Sequence, residues 1–302
     1  MPRQPVLEVR DLAVTFASER GVARVVDNVS FDLAAGRTVG LVGESGCGKS
    51  LTALALLGLV PPPGRIVDGT VRLGGRDLLA CSQTDLDAVR GRRIAMIFQE
   101  PMTALNPVFP VGDQIAEVLR VHTLASRRQA MEAAVAMMAR VGIADAPARA
   151  RDYPHQLSGG MRQRIMIAMA MICQPDVLIA DEPTTALDVT VQAQILDLIL
   201  EMQADFGTAV LFISHDLGVV SDVADEVMVM YAGRIVEHSP AASLFGAPLH
   251  PYTLGLLHAL PRIDRRLGKL PIMRAVSRIL APSPAAAATR TAAPRSRTCA
   301  GP

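Results

Sequence analysis

Lysine is nearly absent from this sequence of 302 residues: only Lys49 and Lys269 occur, and every other basic residue is arginine. The charge is balanced, with 30 Lys and Arg against 29 Asp and Glu. This balance gives no electrostatic signal for binding nucleic acid or an anionic membrane surface. A chain that builds its cations from arginine and yet keeps a lysine at position 49 is expected to need an ammonium group there.

The cysteines are few and far apart, which predicts neither a disulfide framework nor a zinc site and favours a reducing compartment. The first ten residues contain no apolar core of the kind that a secretory signal requires. The apolar runs Leu51–Val60 and Ile165–Cys173 are too short to span a bilayer. We therefore expect a soluble or peripheral protein. The four cysteines are Cys47, Cys81, Cys173 and Cys299.

Aromatic residues make up only 3% of the chain, whereas 50% is hydrophobic and the mean hydropathy is +0.30. Such a composition predicts apolar surface that a partner could cover.

The first third of the chain has the patterns of a strand-rich region followed by a strand, a loop and a helix. Leu7–Phe16 and Val25–Leu33 alternate between apolar and polar residues, which predicts two half-buried antiparallel strands. The continuous apolar run Thr38–Gly43 predicts a strand buried on both faces, and a helix is expected over Lys49–Leu59. Further strands are predicted over Val71–Leu79 and Arg93–Gln99.

The rest of the chain predicts a helical insertion and then a return to alternating strands and helices. Helix formers dominate between Val111 and Val141. From Gly160 onward helices alternate with short buried strands, the pattern of a largely parallel sheet covered on both faces. The predicted helices run from Gly160 to about Cys173 and over Val191–Ala204, and the predicted strands are Val177–Ala180, Ala209–Ser214 and Glu226–Tyr231.

One segment matches the phosphate-binding pattern G-x-x-x-x-G-K-[ST], at the place where the buried strand passes into the helix. There the glycines let backbone N–H groups surround a phosphate, the helix N-terminus adds positive charge, Lys49 bridges β- and γ-phosphates, and the Ser50 hydroxyl binds Mg²⁺. The segment consists of Gly43, Glu44, Ser45, Gly46, Cys47, Gly48, Lys49 and Ser50.

Two acids, Asp181 and Glu182, follow the buried strand Val177–Ala180, at the edge where α/β sheets bind ligands. Asp181 is expected to hold Mg²⁺ through water, and Glu182 to polarise the attacking water. The alternative is a solvated acidic pair at a strand end.

A serine and two glycines, Ser158, Gly159 and Gly160, come just before a predicted helix within the segment Leu157–Met161. A helix N-terminus of this kind is an anion site, but a plain helix cap explains it equally well in isolation.

Taken together, these residues resemble the nucleotide-binding subunit of ATP-binding cassette (ABC) transporters, over roughly Leu7 to Pro261. That family has, in order, a phosphate loop, a glutamine, an LSGGQ-like sequence, an acidic strand end, a loop aspartate and a histidine after the last core strand. The stretches Met96–Glu117 and Leu249–Asp264 resemble the branch of oligopeptide, dipeptide and nickel importers. Met161 stands where most members have Gln. The remaining matching positions are Gln99, Asp188 and His215.

The resemblance implies a mixed α/β P-loop fold with an antiparallel β subdomain and an inserted helical subdomain. Residues 1–265 are expected to form the nucleotide-binding domain, with the helical insertion and signature region at about 100–160, and 266–302 a tail.

The resemblance also implies roles for particular residues. Phe16 stacks on adenine, although a strand-end core residue remains the alternative. Gln99 contacts Mg²⁺ and the attacking water, or is a polar loop residue. His215 holds the γ-phosphate and positions Glu182, or is structural. Asp188 belongs to the nucleotide site. Residues Ser158 to Gly160 bind the γ-phosphate of a nucleotide that the opposite subunit holds.

The implied activity is hydrolysis of ATP with Mg²⁺ to drive the uptake of peptides or related solutes. Its expected partners are a second ATP-binding subunit, two integral membrane permease subunits and an extracytoplasmic solute-binding protein, with no nucleic acid. The expected location is peripheral, on the cytoplasmic face of the inner membrane.

One alternative is a soluble cassette ATPase that acts on ribosomes or DNA. Such proteins usually carry tandem cassettes, coiled-coil insertions or basic arms, and none of these is visible in this sequence. The other, a kinase or GTPase, leaves His215 and the Leu157–Met161 segment unexplained.

Two further expectations concern cysteines. Cys47, at a helix N-terminus among inward-facing N–H groups, is predicted to have a lowered thiol pKa, or to be an inert spacer. Cys299 is the single cysteine after residue 267, and one thiol cannot ligate the iron-sulfur cluster that some members hold in this region. The composition after about Leu267 suggests a degenerate or frame-shifted terminus, disordered from about Ala281 and dispensable for nucleotide binding.

Overall fold

The computed structural model of the protein describes residues 5–18, 21–185 and 187–259. The predicted tail, 266–302, with the expectations for Ala281 onward and for Cys299, lies outside these residues.

A four-stranded antiparallel sheet forms first, in the order β2-β1-β4-β5. Its two long strands contain the predicted strands and extend beyond both of them. The predicted single strand Val71–Leu79 is wrong: Gly74 and Gly75, with φ of 56° and 82°, turn the chain so that β5 folds back on β4. The strands are β1 Pro5–Ser18, β2 Gly21–Ala34, β4 Gly64–Leu73 and β5 Arg76–Asp77.

The second sheet has six strands in the order β10-β9-β3-β8-β7-β6. All neighbouring pairs are parallel except β9 with β10, so this core sheet is mixed, as expected. Every residue of β3, β7 and β8 is buried, which explains their continuous apolar sequences. The strands are β3 Thr38–Val42, β6 Ile94–Ile97, β7 Val177–Asp181, β8 Ala209–Ser214, β9 Glu226–Tyr231 and β10 Arg234–Pro240.

Three of the helices that border core strands, those that start at Lys49, Gly159 and Val189, begin within two residues of their predicted starts. The first of them ends three residues before the expected Leu59, because Gly58 takes a positive φ of 62°, the left-handed conformation that ends helices. These three helices and a fourth that follows β8 are α1 Lys49–Leu56, α7 Gly159–Met171, α8 Val189–Phe206 and α9 Leu217–Val223.

A group of helices is inserted between β6 and α7, as the composition of that segment predicts. Its two long helices are α4 and α5, and Ser126 and Gln129 form a reciprocal cap at the start of α5. The inserted elements are α3 Pro101–Ala104, α4 Val111–His122, α5 Arg127–Arg140, α6 Ala146–Arg149 and a 3₁₀ turn, Pro154–Gln156. The other helices are α2 Gln83–Val89, α10 Ala241–Gly246 and α11 Pro251–Ala259.

The core sheet separates two hydrophobic clusters. Along β7, Leu178 and Ala180 join the cluster shared with the inserted helices, whereas Val177 and Ile179 join the one shared with α1 and the antiparallel sheet. This alternation follows from the two-residue period of a strand. Both faces are therefore covered, and the carboxyl edge of the sheet is left for polar side chains. In the described part of the chain, no helix has the length and apolar character needed to cross a bilayer.

Candidate active site

The loop between β3 and α1 has a conformation that glycine makes possible. Gly48 has a φ of 112°, and a Cβ atom there would lie 2.9 Å from the carbonyl oxygen of Val25. Gly46 has a φ of 78°. Since α1 begins at Lys49, the open N–H groups of its first turn lie beside this loop. The local geometry is that of an anion-binding loop.

The ammonium group of Lys49 lies inside the loop, and the residue is only 5% exposed. Its Nζ donates hydrogen bonds to the carbonyl oxygens of Gly43 at 2.8 Å and Glu44 at 3.0 Å. A buried cation satisfied by neutral carbonyl groups can exchange them for phosphate oxygens, which carry more negative charge.

Two side-chain oxygen atoms that could bind a metal ion meet at the residue after Lys49 and at the end of β7. The Ser50 hydroxyl donates to Asp181 Oδ1 at 3.2 Å, which joins α1 to the end of β7. Asp181 is 4% exposed, and burial raises its pKa, while the hydrogen bond from Ser50 opposes that rise. A hydroxyl and a buried carboxylate are the oxygen ligands that Mg²⁺ takes next to substrate phosphates, so this pair fits the ion.

Glu182 is the centre of a hydrogen-bonded cluster of side chains. Its Oε1 lies 3.0 Å from His215 Nδ1, and its Oε2 accepts from Gln99 Nε2 and from Thr185 Oγ1, both at 2.9 Å. Burial acts to raise the pKa of Glu182, but the hydrogen bonds from His215 and Thr185 outweigh it, and the pKa is lowered. The carboxyl group is therefore ionised at neutral pH and held in one orientation.

The sheet order explains why residues so distant in sequence meet here. Gln99 follows β6, Glu182 follows β7 and His215 follows β8, and these three strands are parallel neighbours. The N–H of Glu182 also donates to the carbonyl of Ile213 at 2.9 Å. The structure thus brings Lys49 and Ser50 together with the acids and their predicted partners at one edge.

Ser158 and Asp188 make helix-capping contacts within this chain. The Ser158 hydroxyl accepts from the N–H of Met161 at 3.3 Å, and the Asp188 carboxylate caps α8 by accepting from Val191 at 2.9 Å. A Cβ on Gly160 would come 2.9 Å from Val191 Cγ1, so the segment Leu157–Met161 lies against α8. Ser158 and Gly159 are exposed.

Phe16 lies near the end of β1, opposite Gly64 of β4. Its ring covers that glycine, since a Cβ there would come 2.6 Å from Phe16 Cζ. The side chain is partly buried and packs against the core. Both interpretations of this residue remain compatible with that position.

The predicted lowered pKa of Cys47 is wrong. The thiol lies at the start of α1 but is only 8% exposed, and burial raises its pKa more than the nearby Lys49 lowers it. Desolvation disfavours the thiolate more strongly than the helix terminus favours it.

We therefore expect Cys47 to react slowly with maleimide near neutral pH, more slowly than the less buried Cys81. Because its pKa is raised, the thiolate fraction and the labelling rate should increase as the pH rises. Bound ATP should slow labelling further. Peptide mapping after timed labelling measures this, with Cys47→Ser as the control. If Cys47 were the fastest thiol at neutral pH, the expectation would fail.

Thr185 was not predicted from the sequence, although it bonds to Glu182. The only available signal was its position three residues after that acid, in the turn Glu182–Thr185, where the N–H of Thr185 also donates to the carbonyl of Glu182.

The comparisons with known proteins agree with this geometry. The ABC transporter family model matches residues 26–185, and a model for the oligopeptide/dipeptide transporter C-terminal region matches residues 236–283. The chain therefore belongs to the ABC transporter family, as its ATP-hydrolysing cassette, and the predicted family, fold class and enzyme class are confirmed. The second match extends past Leu267 and so includes the first residues of the segment in which the composition changes.

Within that family, the chain is similar to ATP-binding subunits of peptide transporters. It is 54% identical to a probable peptide ABC transporter ATP-binding protein of Sinorhizobium fredii, over 87% of this chain and 78% of that protein. It is 52% identical to the oligopeptide transport protein OppD of Salmonella typhimurium, with the same coverage. It is 51% identical to the dipeptide transport protein DppD of Bacillus subtilis, over 86% of this chain and 78% of that protein.

Solved structures agree on the fold. The dimeric structure of a bacterial ABC transporter cassette superposes with a TM-score of 0.70 at 22% identity, covering 78% of this chain and 98% of that one.

Proposed function

We propose that this chain binds ATP at the loop Gly43–Ser50 and hydrolyses it at Glu182, to power an importer of peptides or related small solutes. The observation that supports this most is the Glu182 cluster at the same sheet edge as Lys49 and Asp181.

In this mechanism, Lys49 exchanges its carbonyl partners for β- and γ-phosphate oxygens. Ser50 and Asp181 would hold Mg²⁺, with Gln99 as a further contact, and the bound ion would supply positive charge beside the phosphates. Glu182 polarises the attacking water and accepts its proton, which its ionised state permits. His215 and Gln99 keep the carboxylate aimed at that water, and His215 also contacts the γ-phosphate.

Hydrolysis requires two cassettes in this proposal. Ser158, Gly159 and Gly160 bind the γ-phosphate held by the opposite subunit, and the exposure of Ser158 and Gly159 beside α8 leaves this segment accessible to it. Their capping contact does not compete with this role, because the N–H groups at the start of α7 remain an anion site. The second subunit is either a copy or a relative of this chain.

The membrane partners in this proposal are two integral permease subunits, supplied with solute by an extracytoplasmic binding protein. The chain then acts as a peripheral subunit on the cytoplasmic face of the inner membrane. An apolar groove of about 250 Å³ between β6, α4 and α7 supports such contacts. Leu59 and Phe98 line it, and both are 40% exposed. Peptides are proposed as the solute because the relatives are named for peptide transport.

Co-purification tests the membrane role. The full chain, isolated from detergent-solubilised membranes of its own organism, is expected to bring two integral permease proteins with it. Phe98→Asp should lower their recovery about tenfold or more, because an apolar anchor in a buried contact is lost. ATP binding should be unchanged.

Val67→Asp is the matched control, since Val67 is also half exposed but lies on the antiparallel sheet. Recovery of ribosomes or DNA in place of permeases, or full recovery with Phe98→Asp, would refute the proposal.

A further inference from the structure

The last helix that the structure describes, α11, contacts the phosphate loop through a buried hydroxyl group. Tyr252, 6% exposed, accepts a hydrogen bond at 3.2 Å from the N–H of Glu44, the second residue of the loop. Burial raises the pKa of Tyr252 to about 12, so the hydroxyl is neutral at neutral pH.

The loop residue that Tyr252 holds is also the one that holds Lys49. The carbonyl of Glu44 accepts from Lys49 Nζ at 3.0 Å and from the N–H of Cys47 at 3.3 Å. The N–H of Gly233, in the turn between β9 and β10, donates to the carbonyl of Cys47 at 2.9 Å. Two segments from the last quarter of the described chain therefore support the loop from behind.

Tyr252 itself is held in place from three directions. Its ring packs at a tilt against Tyr231, with 4.5 Å between centroids, and its N–H donates to His250 Nδ1 at 3.2 Å. The carboxylate of Glu237 on β10 accepts from the N–H groups of Leu249 at 2.9 Å and His250 at 3.0 Å, which fixes the entry to α11. A hydroxyl placed so rigidly can hold the Glu44 peptide in one orientation.

We propose that Tyr252 is a positioning residue for ATP binding, which keeps the Glu44 peptide, and through it Lys49, in the conformation that receives the phosphates. The inference rests on the proposed nucleotide site at Gly43–Ser50. Lys49 must leave the carbonyls of Gly43 and Glu44 when phosphate arrives, and the Tyr252 bond keeps Glu44 from following it. The proposal gives the start of the C-terminal region a direct influence on nucleotide affinity.

The test is Tyr252→Phe in the full chain, which removes the hydroxyl and keeps the ring. We expect the Kd and KM for MgATP to rise about three- to tenfold, the usual effect of losing one buried hydrogen bond. The kcat at saturating ATP should stay within about twofold of the wild type, because the Glu182 cluster is untouched. Tyr231→Phe, which removes the hydroxyl but keeps the ring against which Tyr252 packs, should leave both constants unchanged.

Lys49→Ala in the same binding assay distinguishes a misassigned nucleotide site from a wrong role for Tyr252. If Lys49→Ala still binds ATP, the nucleotide site itself is misassigned. If Lys49→Ala loses ATP while Tyr252→Phe binds it with wild-type affinity, only the role of Tyr252 is refuted. A lower melting temperature of Tyr252→Phe with an unchanged Kd also refutes it, since the hydroxyl would then be merely structural.

Discussion

Glu182→Gln is expected to bind ATP with near wild-type affinity but to hydrolyse it about 10² to 10⁴ times more slowly, the range for loss of a general base. The amide has the shape of the carboxylate and still offers one oxygen to Gln99 or His215. It cannot take a proton from water. With hydrolysis blocked, the ATP-bound cassettes should accumulate as a closed dimer, which single-turnover kinetics and size-exclusion chromatography with MgATP measure.

Glu201→Gln is the matched control, because it makes the same change on the exposed face of α8 and should leave turnover unchanged. The lowered pKa of Glu182 also sets the sign of the pH effect. A group whose pKa is below its ordinary value loses its charge only as the pH falls through that lowered value, so activity should persist into mildly acidic solution. Near-normal turnover of Glu182→Gln would show that another group is the base.

Lys49→Ala is expected to abolish ATP binding at concentrations that saturate the wild type, with Kd rising about a hundredfold or more. In the proposed site the buried ammonium binds the phosphates, the most highly charged part of the nucleotide, and hydrogen bonds between charged groups are about twice as strong as neutral ones. Its removal also takes the ammonium donor from the carbonyls of Gly43 and Glu44, although Glu44 keeps the N–H of Cys47. Equilibrium binding of a labelled ATP analogue measures the change.

The sequence provides two informative controls for that result. Lys269 is the only other lysine, and Lys269→Ala should leave affinity unchanged. Lys49→Arg keeps the charge, but the planar guanidinium does not fit a space shaped for a compact ammonium, so binding should still be weak. Full binding by Lys49→Ala would remove the basis for the phosphate loop.

Residues that act through a local motif could be predicted from the sequence, whereas those that act through packing could not. Lys49 and Ser50 lie within one eight-residue pattern, and Glu182 ends a recognisable buried strand. Tyr252 contacts the loop at Glu44, from which it is separated by 208 positions in the sequence. No spacing rule predicts that contact. The predicted direction of the Cys47 pKa shift was wrong for the same reason. That direction depends on how completely the folded chain removes water from the thiol.

The fold was predictable where hydrophobic periodicity is strong. The strands β3, β7 and β8 are wholly buried and have continuous apolar sequences. The strand β10 was missed because it lies at the edge of the sheet, where its partly exposed residues carry no such pattern. The hairpin of β4 and β5 was mistaken for one strand because two glycines within an apolar run can either continue a strand or reverse it.

The strand order also determines when, during synthesis, the phosphate loop can form. In the core sheet β3 lies between β8 and β9, both of which come from the last third of the described chain. A nascent chain that ends near residue 185 already contains the whole loop sequence, yet it lacks both strands that flank β3. ATP stabilises only a state that binds it. We therefore expect the nucleotide to assist folding only after translation has passed Tyr231, the last residue of β9.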